Sequence, residues 1–417
     1  MVKGAIVRRQ RTSWMDSPER SDQMSNNNAS VGDSVRRRNL SEILVLVHER
    51  GPLNRAELTR ESGLNRSTIA RLVVELANLD LIRESEPRDT GVVGRPSPVI
   101  RANDDIVAVC INPDIDAVAV ALIGLGGEIR GRVRRVTSSV PSVQDMTLLA
   151  SQVIRELIEE IEGELRIIAA GIAVPGIVRV DLGVVEFAPH LGWTNEPVAQ
   201  MMQERLGYPT FVANDANLGI IAERLYGMAR GKSDVIYLNG SRSGIGGGVI
   251  VNDRPLTGIH GFGAELGHTS ASLNGVPCYC GRRGCLETEV SLARLLSVMG
   301  QSSIDPDDLG PLIGSSNDRA LRREADRQLD ILAVAISNFI SVFNPEVVVL
   351  AGFLGGLLEA NPTRLREHVV QNSFHQLSSD VEIVRASLHS QHLLVGAAEL
   401  AFSGVLNDPI TITRTST

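Results

Sequence analysis

The chain has 417 residues and a formal net charge of −8, with 41 lysines and arginines against 49 aspartates and glutamates. This length predicts two or three domains. No apolar run approaches the roughly 20 residues that span a bilayer. No apolar segment follows the N-terminal arginines, so neither a membrane protein nor a secreted precursor is expected. Four cysteines, three of them clustered, suit a reducing cytoplasm better than a disulfide framework.

The charge is unevenly distributed along the chain. Residues 1–100 hold 16 basic against 13 acidic side chains, whereas the remaining residues hold 25 against 36. A basic head on an acidic body predicts that only the head approaches a polyanion.

A polar segment precedes the first predicted helix. Residues 1–35 are rich in Arg, Ser, Asn and Asp and have no apolar period, which predicts a disordered tail. From Arg36 onward, apolar residues recur at the spacing of one helix face: Leu40, Ile43, Leu44 and Val47. This helix is expected to end at Gly51-Pro52.

Two further helices predict a helix-turn-helix. Asn54 and Glu57 have the spacing of a capping box that opens a short helix, Gly63 provides the turn, and Asn65 caps a longer helix. In such a pair the second helix reads DNA. Its expected contacts with bases and phosphates are Asn65, Arg66, Ser67, Thr68 and, one turn later, Arg71. The alternative is a plain three-helix interaction module, because the apolar pattern alone is common.

The segment 83–101 predicts a β-wing and a linker, because it contains Gly91, Gly94-Arg95-Pro96 and Pro98. Arg95, held between glycine and proline, is expected to enter a minor groove. Residues 36–102 are therefore expected to form one winged helix-turn-helix domain.

Strands and helices alternate in the expected second domain, residues 103–417. The pattern predicts strands at 106–110, 117–123, 167–174, 210–213 and 347–350 and helices at 143–162 and 329–343. Strands at 235–238 and 247–251 are expected to flank a Gly-rich turn. This alternation predicts a two-lobed α/β fold with a cleft, and the C-terminal helix is expected to pack back onto the lobes.

Three of the four cysteines lie close together, shortly after a histidine. Zinc prefers four nitrogen or sulfur ligands in a tetrahedron. The residues that fit this need are His268, Cys278, Cys280 and Cys285, which predicts one structural Zn²⁺ per subunit. The alternatives are a chance cluster of solvated thiols and a rival ligand in His260. Cys110, in an apolar strand, is expected to be a core residue.

Several motifs carry a family resemblance. They are Asn214–Asn217, Gly244–Gly248, Gly263–His268, the cysteine motif at 278–285, Cys285-Leu286-Glu287 and Asn344-Pro345-Glu346. Their order and spacing resemble the ROK family (repressors, open reading frames and sugar kinases), over roughly residues 36 to 405. The resemblance implies a two-lobed, actin-like (ribonuclease H-like) sugar-kinase fold behind the DNA-binding head of the repressor branch. A sugar would lie in the cleft.

The resemblance also implies residue roles. Zinc would be bound by the four residues named above. The effector sugar would be bound by Asn214, Asp215, Glu265, His268, Glu287 and His190, the last of which stands where family members often have Asn. Asp215 occupies the position of the kinases' general base, and a carboxylate there would deprotonate the attacking hydroxyl. Alternatively, Asp215 only favours the positive end of a helix, and Glu265 and Glu287 are solvated acids.

Two departures from the kinases argue against phosphoryl transfer. Where the kinases have an Asp-x-Gly-Gly-Thr turn around the ATP phosphates, this chain has Asn112-Pro113-Asp114, followed by Asp116. The proline lacks an N–H donor and the carboxylates would repel phosphate. Ser241-Arg242-Ser243 replaces the second phosphate loop. No enzymatic activity is therefore expected, and Asp215 would be a vestigial base.

The combined expectation is a cytoplasmic, sugar-responsive transcriptional regulator that represses genes of carbohydrate uptake or metabolism. It would bind operator DNA as a homo-dimer or tetramer. Sugar binding would shift the lobes, and the zinc loop would transmit that shift toward the linker after Arg95. The alternatives are a ROK-type sugar kinase with an added DNA-binding head and an effector-independent DNA-binding scaffold.

Overall fold

A helical head precedes two α/β lobes in the computed structural model, which describes residues 31–85 and 98–412. The head contains α1 (Val31–Arg50), β1 (Leu53–Asn54), α2 (Arg55–Ser62), α3 (Arg66–Asn78), β2 (Ile82–Ser85) and β3 (Val99–Ala102). Helix α1 begins five residues before the expected start at Arg36, so the end of the predicted tail belongs to this helix. Residues 1–30 of that tail lie outside the described residues.

Local hydrogen bonds define the helix-turn-helix. The Asn54 side chain accepts from the Glu57 amide at 2.9 Å, and the Asn54 amide donates to the Glu57 carboxylate at 2.8 Å, which confirms the capping box. Gly63 ends α2 with a φ of +68°. Asn65 caps α3 by accepting from the Thr68 amide at 2.8 Å. The buried face of α3 consists of Ile69, Leu72, Val73 and Leu76.

The base of the expected wing is an antiparallel hairpin. Ile82 pairs with Ala102 and Ser85 pairs with Val99. Leu53 of β1 pairs with the other edge of β3. Arg95 lies in the segment 86–97, outside the described residues, so its entry into a minor groove stays a prediction.

The first lobe is built on a five-stranded sheet with the order β11-β7-β4-β5-β6. Its strands are β4 (Ile106–Pro113), β5 (Ala117–Gly124), β6 (Ile129–Val136), β7 (Arg166–Val174) and β11 (Thr210–Asn214). Beside it lie β8 (Ile177–Arg179), β9 (Val184–Ala188), β10 (Trp193–Glu196), α4 (Val143–Glu160) and α5 (Val198–Leu206). Cys110 is fully buried in β4, and this burial raises the pKa of its thiol, as expected for a core residue.

A second five-stranded sheet, with the order β14-β13-β12-β15-β16, forms the other lobe. Its strands are β12 (Val235–Ser241), β13 (Gly244–Val251), β14 (Arg254–Pro255), β15 (Val347–Gly352) and β16 (Glu382–Arg385). Its helices are α7 (Leu286–Glu289), α8 (Leu292–Met299), α9 (Pro306–Ser315), α10 (Arg319–Phe343), α11 (Phe353–Ala360), α12 (Pro362–Gln371) and α13 (His375–Ser378). The two lobes confirm the predicted α/β fold. None of the described helices combines the length and apolarity that a bilayer crossing demands.

The chain crosses between the lobes in two helices that pack tightly together. Helix α6 (Asp215–Tyr226) leads from β11 to the second lobe, and α14 (His392–Asn407) returns to pack on the first sheet. A Cβ on Gly396 would lie 2.3 Å from the Leu218 carbonyl oxygen, and one on Gly171 would lie 1.9 Å from the Ala397 carbonyl oxygen. Such contacts require glycine, so α14 rests backbone to backbone on both α6 and β7.

Candidate metal centre and adjoining cavity

Strand β13 runs along one side of the candidate site. Both predicted strands are confirmed but are longer than expected, because β12 ends at Ser241 and β13 begins at Gly244, so Gly244 and Gly246, expected in the turn, pair with β12. A Cβ on Gly244 would lie 2.4 Å from Glu287 Oε2, and one on Gly246 would lie 2.8 Å from the Ala216 side chain. The glycines therefore serve close approach by neighbouring elements, a common reason for glycine within a strand.

Four side chains converge on one point beside this strand. The ligand atoms of His268, Cys278, Cys280 and Cys285 all lie within 4.8 Å of one another. Cys278 Sγ is 3.6 Å from His268 Nδ1, and Cys280 Sγ is 3.5 Å from Cys285 Sγ. Ligands about 2.3 Å from a tetrahedral zinc ion lie about 3.8 Å from each other, so the residues fit such an ion.

The backbone around the cysteines is a tight loop. The Cys278 amide donates to the Arg282 carbonyl at 2.8 Å, and the Gly281 amide donates to the Cys278 carbonyl at 3.1 Å. Gly281 has a φ of +89°, a conformation that glycine adopts without strain. Buried Glu289 fixes the start of the loop by accepting from the Val276 amide at 2.9 Å. The ligands are therefore held by backbone geometry as well as by any ion.

His260 does not belong to this cluster. It is exposed, and its ring lies 5.8 Å from the Phe262 ring.

Two further residues contact the metal cluster, which is the group of His268, Cys278, Cys280 and Cys285. Both also line a cavity beside the cluster. Glu287 Oε1 lies 3.0 Å from Cys278 Sγ and 3.4 Å from His268 Nδ1. Tyr279, between two of the cysteines, bonds His268 Nε2 through its hydroxyl at 2.9 Å. Its ring also meets the ring of His190 edge-on at 5.0 Å. Sequence reasoning gave Tyr279 no role, although its place inside the cysteine motif was a usable signal.

A cavity of about 310 Å³ adjoins the cluster. It is lined by His190, Arg242, Gly244, Val276, Pro277, Cys278, Tyr279, Glu287, Thr288, Ser291 and Arg294. His190 Nε2 is buried and has no hydrogen-bond partner among the described residues, and burial lowers the pKa of this histidine. A neutral imidazole with an unsatisfied nitrogen is suited to bind a hydroxyl group.

Asn214 and Asp215 lie where α6 meets β13. Asn214 caps α6 by accepting from the Asn217 amide at 3.0 Å, and its amide donates to the Gly176 carbonyl at 2.9 Å. Asp215 is buried, and its Oδ1 accepts from the Ala216 amide at 2.7 Å. A Cβ on Gly246 would lie 3.8 Å from the same oxygen. Glu287 and Asp215 therefore approach the same strand, β13, at Gly244 and at Gly246.

Asp215 and Glu287, the two acids beside β13, are buried, whereas Glu265 is exposed. Burial raises the pKa of Asp215 to about 7, the Ala216 amide opposes the rise, and nearby Asp114 and Glu265 add to it. Glu265 is the most exposed of the predicted acids, and partial burial and the Glu287 carboxylate raise its pKa. Glu287 itself is only 9% exposed, so it is not an ordinary solvated acid.

The two segments that the resemblance aligns with the kinases' phosphate loops contact each other across the lobes. Ser243 donates to Asp114 at 3.0 Å, and Arg242 lies 3.6 Å from Asp116. Arg242 also donates to the Ser302 carbonyl at 3.0 Å.

On the head, the start of α3 projects outward. Arg66 and Arg71 are exposed, and neither has an acidic partner among the described residues. Asn65 and Ser67 are exposed but bond each other at 2.7 Å, while Thr68 is half-buried. The two arginines are therefore the most available of the predicted DNA contacts.

The sequence matches known proteins over most of its length. The profile of the ROK family matches residues 108–403. The chain belongs to the ROK family. The xylose repressor of Bacillus subtilis (strain 168) is 27% identical over 380 residues, which cover 89% of this chain and 97% of that protein. The glucokinase of Thermotoga maritima is 31% identical over 299 residues, which cover 68% of this chain and 93% of that enzyme.

Solved ROK structures share the fold. A crystal structure of a ROK family transcriptional regulator, a homologue of the Escherichia coli MLC protein, superposes with a TM-score of 0.72 at 24% identity. The match covers 90% of this chain and 98% of that one, so it includes the head as well as both lobes. The ROK relatives thus include a repressor that matches this chain over nearly the whole length of both and a kinase that matches about two thirds of this chain.

Proposed function

We propose that this ROK protein is a sugar-responsive transcriptional repressor. One observation carries the proposal: the same chain has an exposed recognition helix with two arginines and, in its lobes, a cavity bordered by buried polar side chains. The full-length match to a xylose repressor supports it, because that match extends through the head. Operator DNA and a monosaccharide or sugar derivative are the proposed ligands.

The cavity has the chemistry of a sugar site. Its volume of about 310 Å³ lies at the lower end of the range that small-molecule sites occupy. Glu287 can accept hydrogen bonds from hydroxyls, and His190 has a buried nitrogen to satisfy. Asp215 and Glu265 add carboxyl groups beside β13. Arg242 and Arg294 also line the cavity, so sugar phosphates belong in any ligand screen.

The metal cluster is proposed to hold one structural Zn²⁺ per subunit. His268 and the three cysteines would bind it, and the ion would supply a fixed cross-link within the loop. The contacts of Glu287 with His268 and Cys278 tie this carboxylate to the cluster. The ion is therefore proposed to set the position of a sugar-binding group rather than to take part in chemistry.

The head is proposed to bind operator DNA. Arg66 and Arg71 would contact phosphates or guanines from the major groove. Helix-turn-helix proteins commonly bind paired half-sites about 34–36 Å apart, so a homo-dimer or a tetramer is proposed to present two heads.

A sugar kinase is the second candidate, because burial gives Asp215 a pKa of about 7, which suits a general base. Two observations favour the repressor. Pro113 lacks an amide hydrogen, and Asp114 and Asp116 place carboxylates opposite Ser243 and Arg242. ATP phosphates would meet those carboxylates instead of a cradle of amides. An ADP-release assay with hexoses and pentoses separates the candidates, since steady turnover would establish the kinase.

The proposal is tested with purified protein and DNA from upstream of its own gene and the neighbouring genes. A thermal-shift screen of sugars and sugar phosphates first identifies a ligand, which raises the melting temperature. Fluorescence anisotropy then measures operator affinity with and without it. A ligand-dependent change in operator affinity supports the proposal. Saturating binding of a sugar with no change in operator affinity would exclude sugar control.

A further inference from the structure

A buried polar cluster joins the head to both crossing helices. His48, on α1 of the head, has its Nε2 atom 2.8 Å from Glu399 Oε1 on α14. Tyr226, at the last turn of α6, places its hydroxyl 2.9 Å from the same His48 nitrogen and 2.7 Å from the same Glu399 oxygen. His48 and Glu399 are only 2% and 3% exposed. Three elements from different parts of the fold therefore share one contact.

The other ring nitrogen of His48 bonds the first lobe. Nδ1 contacts the Leu125 carbonyl oxygen in the β5–β6 connection. Because a carbonyl only accepts, Nδ1 donates, and Nε2 is left for Tyr226 and Glu399. The imidazole is thus fixed at both nitrogens, and its ring packs edge-on against Phe402 at 5.9 Å. Any displacement of α6 or α14 relative to the first lobe must strain or break a bond to His48.

Helix α6 begins at the proposed sugar site and ends at this contact. Asp215 is its first residue and Tyr226 its last, so the helix is about 18 Å long. The close approach of Gly396 to the Leu218 carbonyl prevents α6 from sliding along α14, and the contact of Gly171 with Ala397 likewise fixes α14 on β7, so the movement left to the pair is a tilt about these contacts. A rigid helix that is tilted at Asp215 therefore moves Tyr226 against His48.

We propose that the cluster of His48, Tyr226 and Glu399 couples the proposed sugar site to the DNA-binding head. The inference rests on the proposed function, and it assigns the regulatory route to α6 and α14. The three side chains act as positioning residues, since they are not among the residues that line the cavity and they lie outside α3. A change in lobe closure is transmitted through the tyrosine hydroxyl to the histidine, which holds α1.

Tyr226→Phe tests the proposal because it removes only the hydroxyl that joins α6 to His48. Operator affinity is measured with and without saturating sugar, and sugar affinity with and without operator. In wild type the two ratios are equal by linkage and are expected to fall between about 5 and 150. In Tyr226→Phe both ratios are expected to drop below about 3, while sugar and operator each still bind. Glu399→Gln, which keeps the side-chain shape, is expected to lower them in the same direction.

Ser41→Ala is the matched control. Ser41 also lies on α1 and donates to the carbonyl of Leu406, near the end of α14, at 2.6 Å, so its bond joins α1 to α14 and not to α6. It is expected to change head docking without lowering the coupling ratios. Wild-type ratios in both Tyr226→Phe and Glu399→Gln would overturn the inference and leave the proposed function intact. A wild-type ratio of 1 with every bound sugar would instead refute the proposed function.

Discussion

Replacement of Asp215 by Asn tests the electrostatics of the proposed sugar site directly. Burial raises the pKa of Asp215 from 3.8 to about 7 in the folded protein. Between these two values the folded state holds a proton that the unfolded state releases. The stability that this proton contributes is complete below pH 3.8, falls as the pH rises, and is fully lost above about pH 7. Asparagine stays neutral throughout and keeps an oxygen for the Ala216 amide.

The size of the effect follows from the pKa difference. At about 1.36 kcal/mol per pKa unit, the wild type loses about 4 kcal/mol across the whole window and about 3 kcal/mol between pH 5 and pH 8. The unfolding entropy is about 2.1 cal/mol/K per residue, so for lobes of about 300 residues the loss between pH 5 and pH 8 corresponds to ~5 °C in melting temperature. The melting temperature of Asp215→Asn minus that of wild type should therefore be ~5 °C larger at pH 8 than at pH 5.

Differential scanning calorimetry of the sugar-free protein at both pH values measures this difference. Asp380→Asn, at an exposed position, serves as the control and should shift the melting temperature equally at pH 5 and pH 8. An Asp215→Asn difference that is equal at the two pH values, or larger at pH 5, would show that the folded protein holds this carboxylate ionised.

Three further predictions concern the metal, the DNA and the packing of the crossing helices. Cys280→Ser should lower zinc content, measured by plasma mass spectrometry, and abolish the sugar response of operator binding; full repression control by a zinc-free variant would contradict the proposed role of the ion. Arg71→Ala should weaken operator binding about tenfold and reduce the slope of affinity against salt by about 1, and an unchanged slope would place Arg71 away from phosphate. Gly396→Ala should destabilise the protein by about 1–3 kcal/mol in urea, because its Cβ would lie 2.3 Å from the Leu218 carbonyl oxygen. Gly404→Ala, in the same helix with nothing within 4 Å, should instead be neutral or stabilising by up to about 1 kcal/mol.

Local signals in the sequence predicted the head well. The capping residues Asn54 and Asn65 and the turn at Gly63 are determined by hydrogen bonds that span three or four residues, so the sequence alone contains them. The start of α1 was less predictable. Val31 precedes the apolar period, and the helix gains support from contacts that are distant in sequence, including the ion pair of Arg37 with Asp408 at 2.8 Å.

The site was predictable in its ligands but not in its framework. The cysteine motif keeps all its members within a short loop, so spacing alone indicated a metal cluster. Strand β13 was predicted to begin at Gly247 rather than at Gly244, because glycine usually indicates a turn. The reason for its glycines lies in Glu287 and Ala216, which approach it from distant parts of the chain. Likewise, only the folded chain shows that His48 lies beside Tyr226 and Glu399.

The described contacts favour a route from sugar to DNA that differs from the one expected through the zinc loop. Glu287, tied to the metal cluster, approaches β13 at Gly244, and Asp215 approaches the same strand at Gly246. A ligand that bonds both carboxyl groups spans the metal loop and the first turn of α6. Because the metal loop is fixed by its own hydrogen bonds, we expect the response to such a ligand to be a tilt of α6 on α14. The far end of α6 bonds His48 of the head. In the proposed mechanism the zinc loop would be the fixed support for the sugar, and α6 would carry the response.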